Sequence, residues 1–364
     1  MSSLNELRDQ IDQIDRQIHQ LLNQRAVCAS QIADVKLRNQ DSGSVVFYRP
    51  EREAQVLGAV MERNQESGGA LPDGTVAHIF REIMSACLAL EQPAEVAFLG
   101  PESTFTQQAA IKHFGNSAVT QSRARIADVF SAVETGAANY GVVPVENSTE
   151  GAVNHTLDVF VHSPLKICGE VQLPIHLQLL VSKQSGTDKI KKICGHRQAL
   201  AQCQSWLSRH WPTTELVDVS SNGEAARLAS KDPSLAAVAG EIAAELYGLS
   251  CVSANIEDRH DNTTRFLVIG EKEIPPSGSD KTSIVVATRN SPGALFHLLE
   301  PFHRESISLT RVDTRPSPTE KWAHLFFIEF EGHREDEQIT AIMSDLEEHS
   351  FMIKVLGSYP CAVF

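Results

Sequence analysis

The sequence predicts a multidomain chain of three different fold classes. These are an all-α dimerising domain over residues 1–92, an α/β domain over 95–272, and a βαββαβ ferredoxin-like unit over 280–364. Three observations carry this. Apolar residues recur at alternating steps of three and four through the first 35 residues. Strand-like and helix-like segments alternate through the middle. After the linker Pro275-Pro276-Ser277-Gly278-Ser279, six segments follow in the order strand, helix, strand, strand, helix, strand.

In the first segment the apolar positions are 4, 7, 11, 14, 18, 21, 28, 32 and 35, and no Gly or Pro interrupts until Gly43. This is one helix of about 35 residues, roughly 50 Å long. So small a domain cannot cover that seam alone, so two copies are expected to pack along it. The pattern has one gap, at Arg25. A desolvated guanidinium needs an anionic partner, either a helix carboxylate such as Asp12 or Asp34 or an anionic ligand. A second helix starts at Pro50, a favoured first-turn residue, and runs to about Gln65. A third follows Pro72-Asp73 with Val76, Ile79, Phe80, Ile83 and Cys87 on one face.

The middle segment reads as strands at Glu95–Leu99, Tyr140–Val145, Gln178–Val181, Ile190–Cys194, Leu216–Val219, Ala236–Val238 and Arg265–Ile269. Helices are expected after Gly100-Pro101 through Phe114, over Ile126–Ala138, and near 198–209, 222–230 and 240–247. This is a mainly parallel α/β region, long enough to form two lobes with a cleft, and such sheets bind ligands beyond their strand ends. The last segment places strands at 282–288, 307–314, 323–331 and 351–358, with helices at 292–304 and 335–348.

Composition narrows the function. Lys and Arg total 32 against 46 Asp and Glu, a net charge of −14, which argues against nucleic acid as the partner. No apolar run approaches the roughly 18 residues of a membrane span. The start Met1-Ser2-Ser3-Leu4-Asn5-Glu6 has no secretory pattern, and seven cysteines without a CxxC fit reduced, cytoplasmic thiols. The 14 histidines form no HExxH, and no metal site is expected.

Several motifs resemble one family in order along the whole chain. Gly100-Pro101-Glu102-Ser103-Thr104-Phe105-Thr106, Val143-Pro144-Val145-Glu146-Asn147-Ser148 and Asn262-Thr263-Thr264-Arg265-Phe266 resemble prephenate dehydratase. The helical segment before them resembles the all-helical chorismate mutase domain. Gly293-Ala294-Leu295 and Asp313-Thr314-Arg315-Pro316 after them resemble an ACT regulatory domain. The whole is similar to the bifunctional chorismate mutase–prephenate dehydratase family. The resemblance implies a two-lobed, periplasmic-binding-protein-like middle domain and a cytoplasmic homodimer or higher homo-oligomer. It also implies chorismate and prephenate as substrates, phenylalanine as effector and no cofactor.

The mutase reaction implied is a pericyclic rearrangement of a dianion, which needs clamps for carboxylates and a donor to the breaking ether oxygen, but no nucleophile. Arginine suits this because its planar fork binds carboxylates bidentately. By resemblance, Arg25 clamps a carboxylate and Arg8 reaches into the partner copy's site. Lys36 donates to the ether oxygen, and Glu53, with Arg52 beside it, accepts from the ring hydroxyl. Three positions depart from the family pattern. Glu91 stands where a glutamine donor is frequent, so it must be protonated to donate. Cys87 replaces a serine. Arg49 stands where an aspartate would meet the hydroxyl.

The dehydratase reaction implied expels carbon dioxide and water, and aromatisation drives it. The resemblance points to Thr264 as donor to the departing hydroxyl, with Arg265 beside it. Glu146, Asn147 and Ser148 line the site, Glu146 or a water sharing the proton work because a threonine is a poor acid, and Thr104 and Thr106 open a helix whose N-terminus can bind a carboxylate. Thr104 can equally be a plain helix cap. Ser103 replaces a glycine usual in the motif. By resemblance phenylalanine is held by Gly293, Ala294 and Leu295 with Asp313, Thr314, Arg315 and Pro316. Two other readings are a dehydratase whose mutase domain serves chiefly as dimeriser, and an amino-acid sensor without catalysis.

Overall fold

The computed structural model describes residues 3–38, 48–149, 151–186, 189–288, 291–316 and 324–362; Gly43 lies outside these residues. The chain forms two compact units, residues 1–94 with 114–119, and 95–113 with 120–364.

The first unit holds α1 (Leu4–Arg38), α2 (Pro50–Glu66) and α3 (Asp73–Glu91). A capping box starts α1: Ser3 Oγ accepts from the Glu6 N–H at 3.3 Å, and Glu6 Oε2 accepts from the Ser3 N–H at 2.7 Å. Pro50 occupies the first turn of α2. Asp73 receives the side-chain amides of Asn64 (2.6 Å) and Gln65 (2.8 Å), tying the end of α2 to the start of α3. Contacts from Arg25 to Ile83 and from Lys36 to Glu91 run in the same sense, so α1 and α3 are parallel. The apolar stripe of α1 stays exposed: Leu4, Leu7, Ile11, Ile14, Ile18 and Leu21 are 47–65% accessible.

The buried face of α3 differs from the expected one. Ala77, Arg81, Ser85 and Cys87 are buried, whereas Ile79 is exposed. Small residues at four-residue spacing let a neighbouring helix approach closely, and Arg81 enters between them because Glu53 neutralises it (Nε–Oε1 3.1 Å). Losing either member of such a pair strands the other charge, at about 3–5 kcal/mol.

The second unit contains three sheets, and its first elements are β1 (Glu95–Leu99), α4 (Phe105–Phe114), β2 (Val119–Arg123), α5 (Ile126–Glu134), β3 (Tyr140–Asn147), β4 (Gly151–Ala152), α6 (Asn154–His162) and β5 (Lys166–Pro174). The chain then leaves for β6 (Gln178–Ser182), β7 (Lys192–His196), α7 (Arg197–Gln202), α8 (Gln204–His210), β8 (Glu215–Val219), α9 (Asn222–Lys231), β9 (Leu235–Ala239), α10 (Glu241–Tyr247) and β10 (Leu249–Ser253), and returns at β11 (Thr263–Gly270). Strand order is β2-β1-β3-β11-β5 in the first sheet, with β4 on β3, and β10-β6-β9-β7-β8 in the second. Two crossovers, 175–177 and 254–262, therefore join two lobes.

The sheets are mixed rather than mainly parallel. β1–β3, β7–β8 and β7–β9 are parallel, but β11 is antiparallel to both β3 and β5, and β6 to both β9 and β10. The reversal at β11 follows from the return crossover, which re-enters the first sheet from the far lobe. Helix α5 ends at Glu134, short of the expected Ala138, because Thr135 caps it and Gly136 turns at φ 70°.

The C-terminal segment gives β12 (Asp280–Thr288), α11 (Ala294–Arg304), β13 (Leu309–Pro316), β14 (His324–Glu331), α12 (Glu337–His349) and β15 (Met352–Pro360). This is the expected βαββαβ order, in a sheet ordered β13-β14-β12-β15. Alternation sorts its faces. Ile284, Val286, Phe326, Ile328 and Phe330 pack with Leu298 and Phe302 of α11 and Ile339, Ile342 and Leu346 of α12. Val285, Ala287, Leu325, Phe327, Leu356 and Tyr359 pack with Val143, Val145, Leu267 and Ile269 of the first sheet.

Candidate active sites

In the helical unit, Ile83, Cys87 and Glu91 lie four residues apart on one face of α3. The Arg25 Nη1 donates weakly to the Ile83 carbonyl (3.5 Å), and Lys36 Nζ lies 3.8 Å from Glu91 Oε2. Arg25 is half-buried and, among the described residues, forms no ion pair with Asp12, Asp34 or any other carboxylate. Two cations thus flank one α3 face, separated by three helical turns. Glu91 Oε2 is buried without a hydrogen-bond partner. Burial pushes the Glu91 carboxyl up, and the Lys36 charge opposes this. Cys87 is buried beside it.

Glu53 has partners that the sequence does not announce. Its carboxylate is engaged by Arg81 and Tyr48, and burial raises its pKa against their pull. Two partners use only part of the roughly four acceptor positions of a carboxylate, so Arg81 and Tyr48 also fix the direction from which a further donor would come. Arg81 escaped the sequence reading; its signal was a charge centred between Ala77 and Ser85 at helical spacing. Arg8, Arg49 and Arg52 are exposed.

In the lobed unit, β3 and β11 pair with Thr264 opposite Asn147 and Arg265 opposite Glu146. The two pairs face opposite ways. On one side, Asn147 Nδ2 donates to Thr264 Oγ1 (2.8 Å) and to Asn262 Oδ1 (2.9 Å). Asn147 Oδ1 accepts from the N–H and hydroxyl of Thr149 (3.0 and 2.5 Å), which fixes the orientation of the amide. Ser148 Oγ accepts from the Thr263 N–H at 3.0 Å. Asn262, 2% accessible, donates through Nδ2 to Gln202 Oε1 (3.1 Å) at the end of α7. A polar chain therefore runs from Gln202 in the far lobe through Asn262 and Asn147 to Thr264. Because Thr264 Oγ1 accepts from Asn147, its own proton is left to donate elsewhere. Asn262 sat inside a recognised motif without an assigned role. Gln202 has no local signal, since a helix-terminal glutamine is ordinary.

On the other side lie two residues expected at the site. The Arg265 guanidinium contacts Glu170 (2.7 Å), Glu329 (2.6 Å) and the Tyr359 hydroxyl (3.2 Å). Lys281 closes this cluster on Glu170 at 2.9 Å. Burial opposes the charge on Arg265, but the surrounding acids hold it protonated. Glu146 points to Arg311 of β13 (3.7 Å). Neighbouring strand residues face opposite ways, so adjacency to Thr264 and Asn147 directs these two charges onto the C-terminal sheet. The expected substrate contact of Arg265 and proton-sharing role of Glu146 are corrected accordingly.

Thr104 acts as a cap: its hydroxyl donates to the Leu99 carbonyl (3.1 Å) and accepts from the Gln107 N–H (3.4 Å). Helix α4 starts after it, and Thr106 is buried. Ser103, at φ 64°, occupies the left-handed region that favours glycine.

The effector residues are not gathered in one chain. Gly293, at φ 83°, precedes α11, with Ala294 in its first turn and Leu295 exposed. Arg315 instead pairs with Asp158 of α6 (2.8 Å), and Asp313 with Arg311, on the opposite face of the sheet. Thr314 and Pro316 are exposed.

Residues 7–92 match the chorismate mutase type II family, and residues 96–274 match the prephenate dehydratase family. The bifunctional chorismate mutase/prephenate dehydratase of Pseudomonas aeruginosa is 53% identical over 99% of this chain and 98% of its own. That of Aquifex aeolicus is 44% identical over 100% of this chain and 99% of its own. A prephenate dehydratase from Arthrobacter aurescens, solved in complex with L-Phe, is 31% identical with a TM-score of 0.68, covering 73% of this chain and 89% of that one. Two family matches that together span residues 7–274, and bifunctional relatives 44–53% identical along the chain, show that it belongs to the bifunctional chorismate mutase/prephenate dehydratase family.

Proposed function

We propose that the helical unit rearranges chorismate to prephenate and that the lobed unit converts prephenate to phenylpyruvate. The single observation that supports this best is the pairing of two family matches with two separate constellations, one on α1 and α3, the other on β3 and β11. In the first, Arg25 grips a substrate carboxylate, Lys36 donates to the ether oxygen, and Arg8 is supplied by a second copy packed along α1. In the second, Thr264 donates to the departing hydroxyl, with Asn147 orienting it and Ser148 and Asn262 holding the loop.

Phenylalanine is the effector in this reading, and an L-Phe-bound relative supports it. The βαββαβ segment, read as an ACT domain, is its receptor. Because Gly293 and Arg315 lie on opposite faces of one sheet, a pocket using both draws on two copies.

A coupled assay tests the whole. Chorismate is expected to disappear and phenylpyruvate to appear, and phenylalanine is expected to slow the second step. Chorismate loss without phenylpyruvate would leave only the mutase.

Glu91 gives the mutase a pH signature. Only its protonated form donates to the ether oxygen, and burial extends that form to higher pH. The mutase rate should therefore fall as pH rises through the raised pKa of Glu91. Glu91→Gln, a donor at every pH, should flatten that limb; an unaltered profile would remove Glu91 from the mechanism.

A further inference from the structure

The two crossovers between the lobes are laced together. The Ile256 N–H donates to the Leu177 carbonyl (2.8 Å), and the Ile175 N–H to the Asn262 carbonyl (2.9 Å). Between these bonds the outgoing crossover has one residue, His176, and the return crossover five, so residues 257–261 form an excursion. Glu257 pins its root. Its side chain is 1% accessible; Oε1 contacts His176 Nδ1 (2.9 Å) and, more distantly, His260 Nδ1 (3.5 Å). Its Oε2 accepts from the Leu177 N–H (2.8 Å).

The next residue reaches the far lobe. Asp258 accepts from the N–H groups of Ser205 and Trp206 (2.9 and 3.0 Å), and its own N–H donates to the Gln202 carbonyl (2.7 Å). The same segment ends at Asn262, which bonds Gln202 and Asn147, two residues before Thr264. One buried carboxylate thus anchors a segment that touches both lobes and carries Asn262, the link between Gln202 and Asn147.

A buried ionised acid is costly to keep, and a well-packed apolar residue would serve stability at least as well. Hydrogen bonds from His176 and Leu177 outweigh the burial that would raise the pKa, and hold Glu257 ionised. The dehydratase chemistry does not call on this group directly. We propose that Glu257 is a positioning residue for the dehydratase reaction, clamping the two crossovers so that Gln202, Asn262 and Asn147 present the Thr264 hydroxyl to the leaving group.

This rests on Thr264 being the donor, so Thr264→Ala is assayed in parallel. Full turnover in Thr264→Ala would defeat that underlying reading, whatever the Glu257 variants do. The full-length protein supplies its own control, since mutase turnover reports on the amount of intact helical unit and Tm reports on the lobed unit. Glu257→Gln retains an acceptor for Leu177 but loses the charge. His176→Asn removes the imidazole at a half-exposed site and opens no buried cavity. Misplacing a reacting group affects the transition state more than ground-state binding, by up to about a hundredfold for displacements near 1 Å. Dehydratase kcat is expected to fall about tenfold in Glu257→Gln and several-fold in His176→Asn. KM should stay within about twofold and mutase turnover should be unchanged. Wild-type dehydratase kcat in both variants would overturn the proposal. So would a rise in KM with kcat kept, or a loss that merely parallels a lowered Tm.

Discussion

Thr264→Ala is expected to lower dehydratase turnover roughly a thousandfold, the usual scale for a positioned proton donor. Chorismate should still be consumed at the wild-type rate, so prephenate accumulates. The reason is the hydrogen-bond direction at Oγ1. Asn147 Nδ2 donates to it, fixing the oxygen and leaving the threonine proton as the donor on that side of β11. Alanine removes the donor and leaves the Asn147 amide still held by Thr149 and Asn262, so the local fold should survive. Retained phenylpyruvate formation would dismiss Thr264 and return attention to the hydroxyl of Ser148.

Arg25→Ala is expected to cost the mutase roughly a thousandfold in kcat/KM, about 4 kcal/mol, while leaving dehydratase turnover on supplied prephenate intact. The warrant is what Arg25 lacks. It interrupts an apolar seam, is half-buried, and forms no ion pair among the described residues. Its polar contact is a 3.5 Å approach to a backbone carbonyl. A structural arginine at that place would hold a carboxylate, as Arg81 holds Glu53. Arg25→Lys should recover only part of the loss, because an ammonium cannot reproduce the bidentate fork. Wild-type mutase activity in Arg25→Ala would favour the reading in which the helical unit is chiefly a dimeriser.

The helices of the first unit and the βαββαβ order of the last were legible because burial imposes a period on the sequence. The three-four steps of α1 led to a 35-residue helix, and alternation in β12 and β14 sorted two packed faces. Strand β5 was missed because Gly169, Glu170 and Pro174 break its apolar pattern, although Glu170 is buried on Arg265 and Lys281. Motifs marked the stretches that β3 and β11 bring side by side at Asn147 and Thr264, but could not say which flanking residues share their face. Glu146 and Arg265 sit one residue away along the chain and on the wrong side of the sheet. Gln202 and Glu257 depend on tertiary partners far away in sequence and nothing local marks them, while Arg81 is marked only by its place between Ala77 and Ser85.

The exposed stripe of α1 has a kinetic consequence. Arg8 and Arg25 are 17 residues apart on one straight helix, about 25 Å. That span exceeds any single chorismate, so one chain cannot bring both to the same ligand. If Arg8 takes part, the specific mutase rate must decline on dilution below the dissociation constant of the paired chains. The hydrogen bonds of Thr264, Asn147, Asn262 and Gln202 lie within one chain, so dehydratase turnover need not follow it.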